Sequence, residues 1–126
     1  MSLKFYKCPT CNDVVIKAID CGNELSCHGV PMVELKADDT DAALEKHVPD
    51  VEVAPPLVTV QVGSVMHPMT DDHYITLIAL ESEKTYQVAT LSPSDEPKAV
   101  FSVADGDTPK CVYEYCTLHG LWKFEL

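Results

Sequence analysis

Alternating apolar and polar positions divide most of this chain into short strands. Between residues 57 and 62, valine occupies every second position, and the polar side chains of Thr59 and Gln61 lie between. Similar runs follow at 74–81, 85–91, 99–103, 110–115 and 121–125. Turn-forming sequences, including Pro55-Pro56, separate the runs, and no segment has the periodicity of a helix of normal length. About seven short strands with regular breaks predict an all-β, antiparallel β-sandwich.

The first 36 residues have a different pattern. Strand-like pieces occur only at 3–7, 14–18 and 32–35, with several turn-forming residues between them. The segment contains four cysteines, namely Cys8, Cys11, Cys21 and Cys27. Because so short a segment has too little apolar surface for a core of its own, we expect a metal to hold it together. The chain is therefore predicted to divide into a metal-binding β segment, 1–36, and a sandwich, 37–126.

An acidic connector joins the two parts. Residues 37–46 are predicted to form one helical turn capped by Thr40 or Asp41, and the acidic run from Asp38 to Asp41 is interpreted as a solvated loop. The connector leads directly into His47.

Charge and composition exclude several classes of partner. Acidic residues outnumber basic ones by 20 to 9, for a formal charge of −11, which opposes binding to nucleic acid or to an anionic membrane. The start of the chain has no apolar signal-peptide core, and the apolar runs are too short to span a bilayer, so a cytoplasmic protein is expected. Cysteines are then thiols, and Cys8-x-x-Cys11 indicates a metal knuckle.

Histidine and cysteine side chains follow or precede several predicted strands. Loops gather at the ends of a sandwich, so these side chains are expected to meet at one end. Imidazole suits iron, zinc and copper, and a single thiolate favours iron or copper. Four imidazoles and one thiolate around Fe(II) would leave one octahedral position open, as a catalytic site requires. The residues are His47, His67, His73, Cys116 and His119.

Four pieces of sequence together resemble the desulfoferrodoxin / superoxide reductase family. They are Glu-Lys-His-Val-Pro at 45–49, Gly-Ser-Val-Met-His-Pro-Met at 63–69, His73, and Glu-Tyr-Cys-Thr-Leu-His-Gly-Leu-Trp-Lys at 114–123. The resemblance implies an immunoglobulin-like sandwich with one non-haem iron. It also implies four equatorial ligands, His47, His67, His73 and His119, and the axial ligand Cys116.

The resemblance also implies a reaction, the one-electron reduction of superoxide to hydrogen peroxide. Lys46 would attract the anion and order water for its protonation, which a chain of negative net charge needs for steering. Glu45 would fill the sixth position of the resting ferric iron. A small electron carrier such as rubredoxin is the implied electron donor, and a homodimer is the implied assembly.

The N-terminal segment resembles the desulforedoxin-like, rubredoxin-type domain of the same family with one departure. Cys8, Cys11 and Cys27 match three sulfur ligands, but His28 stands where the family has the fourth cysteine. Two alternatives remain for the fourth ligand: His28 itself, or Cys21, which we favour because it has no other role. The metal is iron or zinc, since zinc accepts either ligand set.

Two hypotheses of different classes follow. The first is a superoxide reductase, and the second is a non-catalytic metal-binding or electron-transfer protein with a closed metal site. An open coordination position and a functional Lys46 distinguish the first from the second.

Overall fold

The computed structural model describes residues 3–126, so Met1 and Ser2 of the predicted N-terminal segment lie outside the described residues. The chain forms two compact units, Met1–Lys36 and Ala37–Leu126. Apart from one helical turn, all regular structure in residues 3–126 is β, and every strand pair is antiparallel. The prediction of an all-β fold is confirmed.

The first unit contains five short strands. They are β1 (Lys4–Lys7), β2 (Val14–Lys17), β3 (Ser26–Cys27), β4 (Val30–Pro31) and β5 (Val33–Leu35). Strand β1 lies between β2 and β5 in one sheet, and Phe5 at its centre is fully buried. Strands β3 and β4 form a hairpin that the sequence did not predict, because each has only two residues.

The second unit contains one helical turn and seven strands. They are α1 (Leu44–His47), β6 (Pro49–Ala54), β7 (Leu57–Val62), β8 (Ile75–Ser82), β9 (Tyr86–Thr90), β10 (Lys98–Ser102), β11 (Pro109–Cys116) and β12 (Gly120–Glu125). One sheet has the order β10-β7-β6 and the other the order β12-β11-β8-β9. These two sheets form the immunoglobulin-like sandwich.

Burial in the second unit follows the predicted alternation. In β7 the three valines are buried, while Thr59 is exposed and Gln61 half-buried. Strands β8 and β11 are central in their sheet, and nearly every position in them is buried. The core consists of Val58, Val60, Val62, Ile75, Ile78, Leu80, Phe101, Val103, Val112 and Cys116. A candidate metal ligand, Cys116, is therefore part of the hydrophobic core.

Two local predictions need correction. Strand β6 was not predicted, because its apolar run is short, begins at a proline and ends before Pro55-Pro56. The strand lies at the edge of its sheet, where a proline is tolerated. The helical turn is Leu44–His47 with Ala43 at its N-terminus, and no side chain caps it, so the predicted caps Thr40 and Asp41 are wrong. Contacts with the sandwich hold this turn instead: the Glu45 carbonyl accepts a hydrogen bond from the Val65 amide at 2.8 Å.

The acidic run at 38–41 is exposed, as expected of a solvated loop, but its first residue is bonded to the sandwich. The Asp38 amide donates to the Leu121 carbonyl at 2.9 Å, and the Lys123 amide donates to the Asp38 carboxylate at 3.2 Å. These bonds tie the connector to β12.

Strand pairing brings the candidate ligands to one end of the sandwich. Pro49, two residues after His47, pairs with Val62 at the end of β7. Cys116 at the end of β11 pairs with Ile75 on one side and Gly120 on the other. The loop before β8 and the turn between β11 and β12 therefore lie at the same end.

Candidate metal centre

Four imidazole rings form a closed circle at this end of the sandwich. Ring centroids are 4.8 Å apart for His47 and His67, 4.7 Å for His67 and His73, 5.2 Å for His73 and His119, and 4.8 Å for His119 and His47. Each adjacent pair is close to perpendicular, at 76° to 88°. Rings arranged edge to face around a circle can direct one nitrogen each toward its centre, as equatorial ligands do.

The Cys116 sulfur adjoins this circle from the hydrophobic core. It lies 3.5 Å from Nε2 of His67 and 3.9 Å from Nδ1 of His119. Donor atoms of His47, His67, His73 and Cys116 all lie within 4.8 Å of one another. His119 joins them through Nδ1, which is 3.1 Å from Nε2 of His47. The structure thus brings together all five candidate ligands of the sandwich.

Backbone carbonyls fix the protonation of two of the rings. Nδ1 of His47 lies 2.8 Å from the Ala43 carbonyl oxygen, and Nδ1 of His67 lies 2.7 Å from that of Pro68. A carbonyl only accepts, so each Nδ1 carries the proton and donates it. Nε2 of both rings is then unprotonated and presents its lone pair to the cluster, as a metal ligand must.

Burial keeps three of the four rings in the form that binds metal. Burial lowers the pKa of His47 and of His73, and it lowers the pKa of His67 to about 4. These rings are therefore neutral at pH 7. Burial raises the pKa of the Cys116 thiol, so a metal must displace its proton on binding. Nε2 of His73 is buried and has no hydrogen-bond partner among the described residues. A metal ion would satisfy that nitrogen, and the donor set fits iron.

Glu45 and Lys46 lie on the helical turn that ends in His47. Both side chains are exposed, and the backbone of the turn is held against the 63–65 loop. Burial contributes most to lowering the pKa of His47 and of His73, and the positive charge of Lys46 makes a smaller contribution in the same direction. The lysine cation therefore acts electrostatically on two of the candidate ligands.

Two further residues position the cluster without being candidate ligands. Trp122 is buried and stacks on His47, with ring centroids 5.1 Å apart and an interplanar angle of 30°. Its Nε1–H donates to the His119 carbonyl at 3.0 Å. Trp122 stands in the 114–123 sequence piece, but no local pattern reveals which rings a buried tryptophan contacts.

The second such residue is Gly63. A Cβ atom on Gly63 would lie 2.6 Å from the Glu45 carbonyl oxygen and 2.9 Å from the Lys46 carbonyl carbon. Only glycine lets the helical turn lie this close to the end of β7. The glycine is visible in the sequence, but the contact partner is not.

A buried carboxyl group lies on β11, two residues before Cys116. Glu114 is fully buried, and neither side-chain oxygen has a hydrogen-bond partner among the described residues. Burial, and secondarily the charge of Asp38, raises its pKa well above the ordinary value, so the group is a neutral acid. The sequence motif contained Glu114 but gave no sign of its burial.

The first unit holds a second group of possible metal ligands. Donor sulfurs of Cys8, Cys11 and Cys27 lie within 4.8 Å of one another, and those of Cys11 and Cys27 are 3.5 Å apart. The Cys11 amide donates to the Cys8 sulfur at 3.4 Å, and this contact contributes most to lowering the pKa of Cys8 to about 7. Neither candidate for the fourth ligand, Cys21 or His28, belongs to this group, and both side chains are exposed.

Comparisons with known proteins agree with this architecture. The family model for desulfoferrodoxin matches residues 39–125. The desulfoferrodoxin of Syntrophotalea carbinolica is 43% identical over 123 residues, which are 98% of this chain and 96% of that protein. The desulfoferrodoxin of Nitratidesulfovibrio vulgaris is 40% identical over 123 residues, covering 97% of this chain and 95% of that protein.

Solved structures give the same result. The crystal structure of the superoxide reductase from Treponema pallidum superposes with a TM-score of 0.84 at 33% identity. The match covers 99% of this chain and 100% of that chain. The superoxide reductase (1Fe-SOR) from Giardia intestinalis superposes with a TM-score of 0.56 at 34% identity, covering 65% of this chain and 99% of its own.

The fold and the histidine–cysteine cluster define a non-haem metalloprotein of the immunoglobulin-like sandwich class. Within that class, the chain belongs to the desulfoferrodoxin family. The family resemblance expected from the sequence is confirmed. Within residues 3–126, no helix is long and apolar enough to cross a membrane.

Proposed function

We propose that this protein is a superoxide reductase, an oxidoreductase that reduces superoxide to hydrogen peroxide at a mononuclear non-haem iron. The observation that carries the proposal is the closed circle of four imidazoles with one buried sulfur beside it. Family membership and the superposition on two superoxide reductases support it. The proposed iron ligands are His47, His67, His73, His119 and Cys116.

The protein's own residues would act in binding, protection and protonation. Reduction of one superoxide takes one electron and two protons and gives one hydrogen peroxide, and bound iron(II) supplies the electron. Cys116 is fully buried, which protects its sulfur from the peroxide product, since oxidation of a thiolate depends on its exposure. Lys46 supplies a local positive charge on a protein whose formal charge is −11. It therefore attracts the anion and holds water from which protons are taken.

Glu45 has the complementary role in the oxidised enzyme. Its exposed carboxylate is next to Lys46 on the same helical turn, and it would serve as a further iron ligand in the oxidised enzyme. Because the side chain is exposed, it could approach the ligand cluster and leave it again.

The remaining components of the proposal are an electron donor, an assembly, a compartment and a second metal site. The oxidised iron must be reduced again, and we propose a small rubredoxin-like carrier as electron donor. We also propose a homodimer in the cytoplasm. In the first unit, the group formed by Cys8, Cys11 and Cys27 supports a second metal site for iron or zinc.

Product stoichiometry tests the proposed reaction. Iron(II)-loaded protein, mixed anaerobically with superoxide in a stopped-flow instrument, should produce one peroxide for each superoxide consumed. Dismutation would produce one peroxide for every two. Decay of superoxide no faster than in buffer would instead favour the closed, non-catalytic metal site, and a ratio of one to two would contradict the reductase assignment.

A further inference from the structure

The sulfur group of the first unit is incomplete as a tetrahedral metal site. Cys8 and Cys11 come from one knuckle, which the Cys8 amide closes by donating to the Asp13 carbonyl at 2.9 Å. Cys27 comes from the β3–β4 hairpin. Zinc bonds to sulfur at about 2.3 Å, so neighbouring sulfurs around it are about 3.8 Å apart, and the separation of 3.5 Å between Cys11 and Cys27 is close to this. Three ligands are present, and a fourth is required.

Polar contacts hold the loop that carries Cys21. The Asp20 carboxylate accepts hydrogen bonds from Lys4 at 2.8 Å, from Lys17 at 2.9 Å and from the Gly22 amide at 2.9 Å. Lys17 also donates to the Asn23 carbonyl at 2.5 Å. Cys21 lies between Asp20 and Gly22, so these bonds hold the backbone on both sides of it. The contacts fix Cys21 in an exposed position outside the group.

His28 is placed quite differently. It directly follows Cys27 and forms, with Gly29, the two-residue turn between β3 and β4, in which both residues have positive φ, 53° and 73°. This is the turn geometry that a two-residue hairpin favours, and histidine tolerates positive φ better than most residues. The ring of His28 is exposed, and no described residue hydrogen-bonds to it. Rotation of this side chain therefore breaks no hydrogen bond to a described residue.

We propose that Cys8, Cys11, Cys27 and His28 bind one tetrahedral divalent cation of the zinc type, and that Cys21 is not a ligand. The inference rests on the second metal site proposed above and specifies its fourth ligand and its metal. Three thiolates and one imidazole form an established structural zinc set. Zinc has no redox chemistry, so this centre stabilises the first unit and transfers no electrons.

Residue-resolved alkylation of the full-length protein tests the ligand set. Protein with iron in the sandwich site is treated with iodoacetamide, with and without one equivalent of zinc, and each cysteine is followed by peptide mapping. Zinc should slow the alkylation of Cys8, Cys11 and Cys27 at least tenfold and leave that of Cys21 unchanged. Protection of Cys21 along with the other three would overturn the inference in favour of four sulfurs. Protection of none would overturn the second site itself.

Matched variants isolate the fourth ligand. His28→Ala should lose zinc to a chelator at least tenfold faster than the unchanged protein, His28→Cys should retain it, and Cys21→Ser should behave as the unchanged protein does. Zinc-edge X-ray absorption should show three sulfurs at about 2.3 Å and one nitrogen at about 2.0 Å. Unchanged zinc loss in His28→Ala, or a fourth sulfur in the spectrum, would contradict the assignment.

Superoxide consumption separates this inference from the proposed function. None of these variants should change it, because the proposed iron ligands all lie in the second unit. Failure of the reductase assay would leave the alkylation pattern as it is, and an unexpected alkylation pattern would leave the reductase stoichiometry as it is.

Discussion

Gly63 and Glu45 approach so closely that a Cβ atom on the glycine would lie 2.6 Å from the glutamate carbonyl oxygen. The Glu45 carbonyl also accepts the Val65 amide, at 2.8 Å, and the Ser64 hydroxyl, at 3.3 Å. The end of β7 therefore supports the helical turn that carries Glu45, Lys46 and His47. The backbone at this point determines where three proposed functional side chains lie.

We expect Gly63→Ala to displace this turn. The new methyl group would meet backbone atoms, which cannot rotate away, so the free energy of unfolding should fall by about 1–3 kcal/mol. Iron binding should weaken as well, because His47 moves with the turn. Urea unfolding and iron titration measure the two effects.

Gly106→Ala provides the matched control for this substitution. Gly106 has φ of 86° and no atom within 4 Å of a Cβ position, so alanine should cost about 1 kcal/mol through backbone strain alone. Its iron binding should be normal. Equal loss of iron binding in both variants would show that Gly63 has no specific part in placing the helical turn.

Trp122 is expected to position the iron ligands. Trp122→Phe keeps an aromatic ring against His47 but removes the hydrogen bond to the His119 carbonyl, so the unfolding free energy should fall by about 1 kcal/mol. Loss of a group that orients ligands typically weakens metal binding about 10- to 100-fold. Cobalt(II) titration measures the affinity.

Tyr113→Phe is the control for Trp122→Phe. It also removes an aromatic donor from a buried hydrogen bond, the one from Tyr113 to Glu81 at 2.8 Å, but neither residue is a candidate ligand. Stability should fall while cobalt affinity stays constant. A Trp122→Phe variant that loses stability but binds cobalt normally would show that Trp122 only packs in the core and does not position the ligands.

Much of the fold could be predicted because burial in a sandwich repeats every second residue. The alternation in β7 predicted which valines are buried, and most strand boundaries lie within one or two residues of those expected. The α1 cap could not be predicted, because a contact with Val65, distant in sequence, fixes the turn. Strand β6 was missed because it begins at Pro49 and is followed by Pro55-Pro56, which suggested a turn.

The candidate site was predictable from particular sequence pieces and not from a repeating pattern of burial. The sequence pieces that contain the five candidate ligands together resemble one family, so the convergence of these ligands could be expected before any distance was known. They are His47, His67, His73, Cys116 and His119. The supporting contacts could not, because Trp122 reaches His47 only through the fold. The same limit applies to Cys21: only the hydrogen bonds around Asp20 show how its loop is held.

Asp107 should make the sandwich less stable in acid. Its carboxylate accepts four hydrogen bonds, of which the one from Ser82, at 2.7 Å, contributes most to lowering the pKa of the group. A folded pKa below the unfolded value, about 3.9, stabilises the protein above that pH. This contribution is lost as pH falls through the lower, folded pKa.

Asp107→Asn should therefore lower the unfolding midpoint at pH 7, and the difference from the unchanged protein should shrink below about pH 4. Urea unfolding across this range measures it. The control is Asp105→Asn in the same loop, whose exposed carboxylate accepts no hydrogen bond from the described residues. A difference that grows toward low pH would contradict the assigned direction of the pKa shift.

Cys116→Ser should remove the colour of the ferric protein. A ferric thiolate absorbs visible light by charge transfer from sulfur, and serine has no orbital of comparable energy, so the band should disappear. Visible absorption of the oxidised, iron-loaded variant measures this. Cys111→Ser is the control, since Cys111 is also buried but lies outside both ligand groups. A band that persists in Cys116→Ser would exclude this sulfur as a ligand.

Lys46→Ala should slow superoxide consumption without releasing iron. The exposed cation stands beside His47 on a protein of formal charge −11, so its loss should reduce the second-order rate constant about tenfold at low salt. Because salt screens such steering, the difference should diminish as ionic strength rises. Stopped-flow kinetics at several salt concentrations measure both effects.

Two further variants separate local charge from net charge. Lys46→Arg retains the cation and should keep most of the rate. Lys110→Ala changes the net charge by the same amount, but Lys110 lies at the start of β11, whereas Cys116 lies at its end. It should therefore leave the rate nearly unchanged. If Lys110→Ala slowed the reaction as much as Lys46→Ala, only net charge would matter, and the assignment of Lys46 to the site would be wrong.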